Sequence, residues 1–272
     1  GFTKSIMIIA ADMHPYDPSI NLIIADFTYD SQDYKESIHY YQRVIDSKPN
    51  DYNAWIQLVT SYYNILEYDK MSKKSSDALE LFPTQPSFYL YSGIARIQLE
   101  QYEIGIEILE EGNDLLLSTD KRLKAQFLSS LGDAYHAIGK HEESDDYFEL
   151  SLELDSENHF VLNNYAYYLS ERNIQLEKAK IMSRKSNELH PDEASFQDTY
   201  GWILYKLGDY EKALNWLQKS ELNGGNNSAI INEHIGDVYE KLGLRDKALK
   251  YWKLAHHIGG GSDQLLNKLK QK

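Results

Sequence analysis

The stretch GWILYKLGDYEKALNWLQKS, residues 201–220, decides the fold. It contains no residue pattern typical of a catalytic site, but it places small residues and glycines at regular offsets. Small residues such as Gly201 and Ala213 let two helix axes approach to about 8–10 Å. Gly208 can end the first helix with a positive φ, which glycine adopts at low cost. The stretch therefore predicts two antiparallel helices that pack through Gly201 and Ala213 and are joined at Gly208.

The same spacing recurs along the chain, which is the signature of a repeat protein. If residue 194 is position 1 of a 34-residue repeat, Gly201 is position 8, Gly208 position 15 and Ala213 position 20. Applying the same position numbering along the sequence predicts seven repeats, at residues 18–51, 52–85, 86–124 (with an insertion), 125–158, 159–193, 194–228 and 229–261. Residues 1–17 then fit the second helix of a truncated upstream repeat, and residues 262–272 fit a capping helix with Ser262 or Asp263 as its N-cap and Leu265, Leu266 and Leu269 on one face.

The pattern resembles the tetratricopeptide repeat, which has large residues at positions 4, 7, 11, 17 and 24, small residues at 8, 20 and 27, and proline at 32. Tyr210 and Leu217 match positions 17 and 24, and Pro49, Pro83 and Pro191 mark the ends of repeats. The resemblance covers about nine-tenths of the chain. It implies an all-α fold, a right-handed α-solenoid or superhelix of about seven helix-turn-helix repeats plus a C-terminal capping helix.

The chain departs from the repeat pattern at a few points. These are Met71, Ser75, Ser156 in place of proline, and the inserted residues 119–124. The late repeats resemble those of repeat proteins common in bacterial cell envelopes. That resemblance implies a periplasmic or outer-membrane lipoprotein location, with the cytoplasm as the alternative.

The composition excludes several classes of protein. Of 272 residues, 42% are hydrophobic and 26% charged, which is typical of soluble globular proteins. The 28 Lys and Arg residues against 42 Asp and Glu give a net charge of −14, which opposes binding to nucleic acid or anionic lipid. The absence of cysteine excludes disulfides, thiolate zinc sites and a cysteine nucleophile. No run reaches the roughly eighteen apolar residues of a membrane-spanning helix.

Charge is distributed unevenly along the sequence. Residues 241–272 contain eight Lys or Arg and two Asp, a balance of +6, so residues 1–240 carry −20. The simpler interpretation is a solvated basic cap, in which cations lie near helix C-termini. The alternative is a basic end that docks on an acidic partner or on another copy of the chain.

The family resemblance implies a function as well as a fold. Tetratricopeptide repeats usually form non-catalytic scaffolds that bind a peptide or a partner's helix in a groove lined by the first helices, at positions 2, 5, 9, 12 and 13. Reading those positions in this chain gives an acidic and aromatic set of candidate partner-binding residues: Asp26, Tyr29, Tyr63, Asp133, His136, Asn163, Tyr167, Asp198, Trp202, Tyr205, Glu233 and Asp237.

An acidic, aromatic groove favours a partner protein or peptide with Lys or Arg beside apolar side chains, because carboxylates and aromatic faces both attract cations. The cluster of Asn163, Tyr167, Asp198, Trp202 and Tyr205 in adjacent repeats is the strongest candidate. Replacing Trp202 and Tyr205 by alanine is expected to weaken partner capture without unfolding the chain. The alternatives are a small molecule or glycan on the aromatic groove, or a self-assembling structural protein.

Catalysis, metal binding, cofactor binding and RNA binding all lack support in the sequence. His136 and His141 are five residues apart across a turn, unlike the two histidines of a zinc-protease helix. The glycine runs at 224–225 and 259–261 lack the lysine of a phosphate-binding loop. RNA-binding repeats are opposed by the acidic charge. Position 5 of the repeats also lacks the lysine of chaperone-tail clamps. The sequence therefore predicts neither a catalytic residue, a metal ligand nor a cofactor.

Overall fold

The computed structural model describes residues 2–117 and 119–270, with the side chains of all of these except residues 2–4 and 7. The described residues form helices joined by short turns and contain no strand, which confirms the all-α prediction. The chain divides into two compact units, an N-terminal unit of residues 1–154 and a C-terminal unit of residues 155–272. Gly1, which begins the predicted truncated repeat, and residues 271–272, which end the predicted capping helix, lie outside the described residues.

The described part of the N-terminal unit consists of successive helix-turn-helix pairs. Its helices are α1 (Phe2–Met13), α2 (Pro18–Asp30), α3 (Tyr34–Ser47), α4 (Tyr52–Asn64), α5 (Tyr68–Leu81), α6 (Pro86–Gln98), α7 (Tyr102–Asp114), α8 (Lys121–Ala137) and α9 (His141–Leu154). Helix α2 packs against α3, α4 against α5, α6 against α7 and α8 against α9. This is the helix-turn-helix packing that the repeat pattern predicts.

The C-terminal unit continues the same alternation in its described residues. Its helices are α10 (His159–Glu171), α11 (Leu176–Leu189), α12 (Ala194–Lys206), α13 (Tyr210–Leu222), α14 (Ala229–Lys241), α15 (Arg245–Ile258) and α16 (Leu265–Lys270), with a 3₁₀ turn at Gly225–Asn227. Pairs form between α10 and α11, α12 and α13, and α14 and α15. The first helices α10, α12 and α14 also contact one another in order, so their side chains share one face.

Carboxylates begin three of the first helices of the N-terminal unit. Asp17, Asp51 and Asp120 each accept a hydrogen bond from a backbone N–H of the first turn, at 2.9, 3.2 and 3.1 Å. Such N-caps satisfy amides that have no partner inside the helix. The cap at Asp120 starts α8 at Lys121, ahead of residue 125, where the sequence pattern starts that repeat.

Each first helix from α2 to α14 ends at a residue with positive φ, at position 15 of the repeat. Gly208, with φ of 85°, takes this conformation as its sequence predicts. Glycine also fills the position at the ends of α8 and α14, but the other helices end at residues with side chains, namely Gln32, Leu66, Glu100 and Asn173. A left-handed conformation costs most L-residues roughly 1–2 kcal/mol and asparagine less, so the turns at Gln32, Leu66 and Glu100 carry backbone strain.

We expect Leu66→Gly to raise the free energy of unfolding of the N-terminal unit by about 0.5–1 kcal/mol, because relief of the strain exceeds the entropic cost of glycine. The Leu66 side chain is 67% exposed, so little buried surface is lost. Denaturant unfolding measures the change. The control is Leu81→Gly, which removes another exposed leucine at the end of α5 and should lower stability. A loss of stability in Leu66→Gly would contradict the prediction.

Within a repeat, the small residue at position 8 faces the large residue at position 24. A Cβ atom added to Gly201 would lie 2.8 Å from Cγ of Leu217 and 3.2 Å from the carbonyl oxygen of Ala213. The predicted contact with Ala213 therefore runs through its backbone. In the last repeat a Cβ atom on Gly236 would lie 2.4 Å from Cδ1 of Trp252, so a bulkier ring leaves still less room.

The C-terminal capping helix differs in detail from the sequence-based expectation. The hydroxyl of Ser262 donates to Glu233, and within the described part of the chain neither Ser262 nor Asp263 accepts a side-chain hydrogen bond from the first turn of α16. Leu265 is buried and Leu269 packs against the core of the C-terminal unit, but Leu266 is exposed. Leu266 therefore does not share the face that Leu265 and Leu269 turn toward the core, because adjacent residues of a helix point in different directions.

Across residues 2–117 and 119–270, none of the helices combines the length and apolar character needed to cross a bilayer.

Candidate partner-binding site

A cavity of about 780 Å³ opens on the first helices of the C-terminal unit. Its walls come from α10, α12 and α14, with Trp252 of α15 and the C-terminal residues beyond α15. The lining residues are Tyr167, Glu171, Trp202, Tyr205, Lys206, Ile230, Glu233, His234, Asp237, Glu240, Lys241, Trp252, Gly260, Gly261, Ser262, Asp263, Gln264 and Lys268. Five of the candidate residues, Tyr167, Trp202, Tyr205, Glu233 and Asp237, thus line one cavity.

Three stacked rings form one wall of this cavity. Trp202 lies between Tyr205, with ring centroids 4.7 Å apart, and His234, with ring centroids 3.9 Å apart. The Trp202 indole N–H donates to Glu171 at 2.6 Å. Only 8% of Trp202 is exposed. Both faces of the indole are already covered, so Trp202 builds the wall and a ligand would contact its edge.

A buried ion pair supports the stacked rings from behind. Nδ1 of His234 lies 2.8 Å from Oδ1 of Asp198, and both side chains are buried. Complete burial by itself lowers the pKa of His234, but Asp198 and, more weakly, two further carboxylates raise it, so the pKa lies above its ordinary 6.5. The candidate residue Asp198 is therefore paired with His234 within the chain.

The Asp198–His234 pair makes the stability of the C-terminal unit depend on pH. Because the pKa of His234 is raised by folding, its contribution is fully present below its unfolded pKa of about 6.5 and is lost as pH rises through the folded pKa. We expect the wild type to lose more free energy of unfolding between about pH 6 and about pH 9 than His234→Gln loses. Denaturant unfolding at both pH values measures this, and equal losses would contradict the prediction.

Two buried carboxylates on α14 hold groups from the C-terminal residues. Glu233 accepts hydrogen bonds from the Ser262 backbone N–H at 2.6 Å and from the Ser262 hydroxyl. The ammonium of Lys268 lies 2.7 Å from Oε1 of Glu233 and 2.6 Å from Oδ2 of Asp237. Asp237 also accepts from the indole N–H of Trp252 at 2.9 Å. Both candidate carboxylates are thus occupied by partners within the chain.

The two carboxylates respond differently to their surroundings. Burial raises the pKa of Glu233, but Lys268 and Ser262 outweigh it, so the net pKa is lowered. Its pairing therefore stabilises the fold above its unfolded pKa and is lost as pH falls through the folded pKa. Burial dominates at Asp237 and raises its pKa despite Lys268. The free energy of unfolding therefore falls as pH rises through the raised pKa of Asp237 and its carboxyl becomes charged. The ammonium of Lys268 offsets part of this loss.

The rim of the cavity leaves polar and apolar groups within reach of a ligand. Glu171 and Glu240 are exposed, and Ile230 is 43% exposed. Tyr167 and Tyr205 are half-buried, and burial together with the Asp237 carboxylate raises the pKa of Tyr205 to about 12. Both phenols therefore remain neutral hydrogen-bond donors near neutral pH. The rim combines carboxylates, phenols and one aliphatic side chain.

The remaining candidates are not among the residues that line this cavity. Asn163 is buried on α10, and its Oδ1 atom has no hydrogen-bond partner. In the N-terminal unit, exposed Asp26 accepts from the buried Tyr41 hydroxyl at 2.7 Å, and half-buried Tyr29 donates to Thr60 at 3.3 Å. Tyr63 is 43% exposed.

Two further candidates of the N-terminal unit, Asp133 and His136, lie on α8 and are half-buried. The His136 ring lies 5.1 Å from that of His141. The structure therefore brings five of the seven candidates of the C-terminal unit to one cavity, whereas Asn163 and Asp198 do not line it. The candidates of the N-terminal unit occur on α2, α4 and α8.

The sequence analysis missed several lining residues. Glu171, Lys206 and Lys241 all occupy position 13, an inward position of the repeat pattern, and reading that position in each repeat would have found them. His234 occupies position 6, which the groove pattern does not include, and no local signal marks it. Lys268 reaches the cavity only because the C-terminal residues fold back, which the pattern of a capping helix does not predict.

Comparisons with known proteins agree with this architecture. Residues 22–258 match a family model described as tetratricopeptide repeat. A chain of the APC/C hetero-tetramer Cut9–Hcn1 aligns with a TM-score of 0.78 and 14% identity, over 98% of this chain and 51% of that one. A tetratricopeptide repeat protein from Parabacteroides merdae ATCC 43184 aligns with a TM-score of 0.66 and 12% identity, over 93% of this chain and 97% of that one. A Pseudomonas aeruginosa pilF structure aligns with a TM-score of 0.56 and 20% identity, over 72% of this chain and 82% of that one.

At these identities the likeness concerns the fold, and the chain spans about half the length of the Cut9–Hcn1 chain that it matches. No curated protein was found to match the sequence. The family model covers most of the chain, and the helices pack as successive helix-turn-helix pairs. The chain belongs to the tetratricopeptide repeat family.

Proposed function

We propose that this chain is a non-catalytic scaffold whose C-terminal unit binds a basic, partly apolar peptide or helix of a partner protein in the cavity on α10, α12 and α14. Tetratricopeptide repeat proteins are commonly protein-interaction scaffolds. One observation carries the proposal for this cavity. Glu233 and Asp237 hold the ammonium of Lys268 while the adjacent Leu265 is buried, so the cavity already accommodates a cation beside an apolar side chain.

The charges of the lining support a cationic ligand. Five carboxylates face three lysines in the cavity wall, and one of those lysines, Lys268, comes from the C-terminal residues. Opposite charges across an interface speed association and select partners. The apolar part of the ligand would meet Ile230 and the rings of Tyr167 and Tyr205, whose burial supplies binding energy that the rim charges alone do not.

We propose that the candidates of the N-terminal unit also contact the partner. Exposed Asp26 and Tyr63, with half-buried Tyr29, offer the same combination of carboxylate and phenol on first helices. On α8, half-buried Asp133 and His136 offer a carboxylate and an imidazole. We assign them to additional contacts with the same class of partner.

The test is the binding of a labelled amphipathic lysine–leucine peptide, compared with the same peptide carrying glutamate in place of lysine. We expect the lysine peptide to bind the wild-type chain, more weakly as salt is raised. The double variant Glu171→Gln, Glu240→Gln removes two rim carboxylates and should weaken binding about three- to tenfold, since an exposed ion pair contributes up to about 1 kcal/mol.

The matched control is Glu188→Gln with Glu211→Gln, which removes two exposed carboxylates from the second helices α11 and α13. This control has the same net charge as the rim variant and should bind like the wild type. The proposal fails if the glutamate peptide binds equally well, or if both double variants weaken binding to the same degree. Fluorescence anisotropy measures the binding of both peptides to the wild type and to the two double variants.

A further inference from the structure

Residues 259–270 occupy one side of the cavity in the manner of a bound peptide. Ser262 contributes a backbone N–H and a hydroxyl to Glu233, and Lys268 contributes an ammonium to Glu233 and Asp237. Leu265, between them in sequence, is 5% exposed and packs against the core. These three residues form a series of hydroxyl, aliphatic group and cation at intervals of three residues.

Three consecutive glycines connect this segment to α15. Gly259, Gly260 and Gly261 follow one another, and the first two have φ of 84° and 89°. Successive glycines behave as a flexible linker, so the segment is joined to the cavity by a short tether. A short flexible tether holds a ligand at an effective concentration of about millimolar. Weak contacts are then sufficient to keep the segment in place.

The segment is held in the cavity by few contacts, which another peptide could replace. Helix α16 has six residues, far fewer than an isolated helix needs to be stable in water. Leu265 is the buried apolar anchor, whereas Asp263, Gln264 and Leu266 are exposed. The carboxylates of Glu233 and Asp237 are buried, and a buried charge that loses its partner is strongly destabilising. The segment therefore leaves most readily when another cation takes the place of Lys268.

We propose that residues 261–268 are an intramolecular ligand of the cavity, which a partner segment with the same order of hydroxyl, aliphatic and cationic side chains displaces. This inference rests on the proposed function and names the ligand class of the same site, a peptide with Ser or Thr, an aliphatic residue three positions later and Lys three positions after that. Binding of such a partner is then coupled to release of the C-terminal residues.

The probe is a labelled peptide with the sequence of residues 259–270, added to the full chain and to the Leu265→Ala variant. Leu265→Ala weakens the intramolecular anchor without changing any charge. We expect the peptide to bind Leu265→Ala at least tenfold more tightly than the wild type, because less intramolecular competition remains. A peptide with glutamine at the position of Lys268 should bind neither chain. Hydrogen exchange of residues 262–269 in the wild type should accelerate when the peptide binds.

A second pair of variants separates release of the segment from a simple change of charge. Lys268→Gln removes a cavity lysine that holds the segment, whereas Lys241→Gln removes a cavity lysine from α14. We expect tighter peptide binding in Lys268→Gln than in Lys241→Gln. Circular dichroism verifies that each variant is folded.

The possible results distinguish the two proposals. If the peptide binds the wild type and Leu265→Ala equally, or binds without accelerating exchange of residues 262–269, the segment is not a competitor and the inference is overturned, while the proposed function stands. If the lysine–leucine peptide binds but the 259–270 peptide binds no variant, the ligand class is wrong. If neither peptide binds any variant, both proposals fall.

Discussion

Trp202→Ala is expected to lower the free energy of unfolding of the C-terminal unit by about 3–5 kcal/mol, the usual cost of replacing a buried tryptophan. The indole is stacked between Tyr205 and His234 and donates its N–H to Glu171. Its loss leaves a cavity and removes packing from the imidazole of His234, which is itself buried with Asp198. The sequence-based expectation, that alanine at 202 and 205 leaves the fold intact, does not fit this burial.

The matched control for this prediction is Trp216→Ala. Trp216 is half-buried on α13, contacts Tyr200 edge-on at 4.8 Å between centroids, and has the Lys219 ammonium 4.4 Å from its ring centroid. The same chemical change there should cost clearly less than at Trp202. Denaturant unfolding followed by circular dichroism gives both values. Equal losses for the two variants, or a loss below about 1 kcal/mol at Trp202, would show that the stacked wall is not structural.

Gly236→Ala is expected to lower the free energy of unfolding by about 1–3 kcal/mol, because a single methyl group overpacks a filled core. The new Cβ atom would lie 2.4 and 2.5 Å from Cδ1 and Nε1 of Trp252. That indole is fixed by its own burial and by its hydrogen bond to Asp237. Moving it would also disturb the carboxylate that holds Lys268.

A double-mutant cycle with Trp252→Leu tests the cause of this loss. Leucine at position 24 faces glycine in the repeat of Gly201, so it leaves more room than an indole. We expect the double variant to be less destabilised than the sum of the two single variants, which is the sign of a direct steric contact. The control Gly132→Ala, whose Cβ would lie 3.0 Å from the Phe148 ring, should cost less than Gly236→Ala. Strict additivity would contradict the steric explanation.

The fold was predictable from the sequence because its determinants are local and recur. Glycine at position 8, a turn at position 15 and a large residue at position 24 each act within one repeat, and the recurrence corrects for individual departures such as Ser75. The turn conformation was predictable where glycine supplies it, as at Gly208. It was not predictable at Leu66, where packing of the repeat imposes a conformation that the residue itself disfavours.

The candidate site was predictable only in part. Repeat positions indicate which residues face the shared surface of the first helices, and this brought Tyr167, Tyr205 and Glu233 to one cavity. They do not indicate which of those residues another part of the chain covers. The burial of Trp202 depends on the neighbouring His234, and the pairing of Glu233 depends on Lys268, 35 residues away. Such contacts between non-equivalent positions lie outside any periodic pattern.

The size complementarity between positions 8 and 24 also limits how such a protein can diversify by recombination. Both positions belong to the same repeat, and their volumes vary inversely: Gly236 accompanies the large Trp252, whereas the larger Val59 accompanies the small Ser75. A crossover inside a repeat would set valine against an indole or glycine against serine. A crossover between repeats keeps each matched pair together. We therefore expect duplication or shuffling of repeats to preserve these contacts where the crossover falls in an inter-repeat turn.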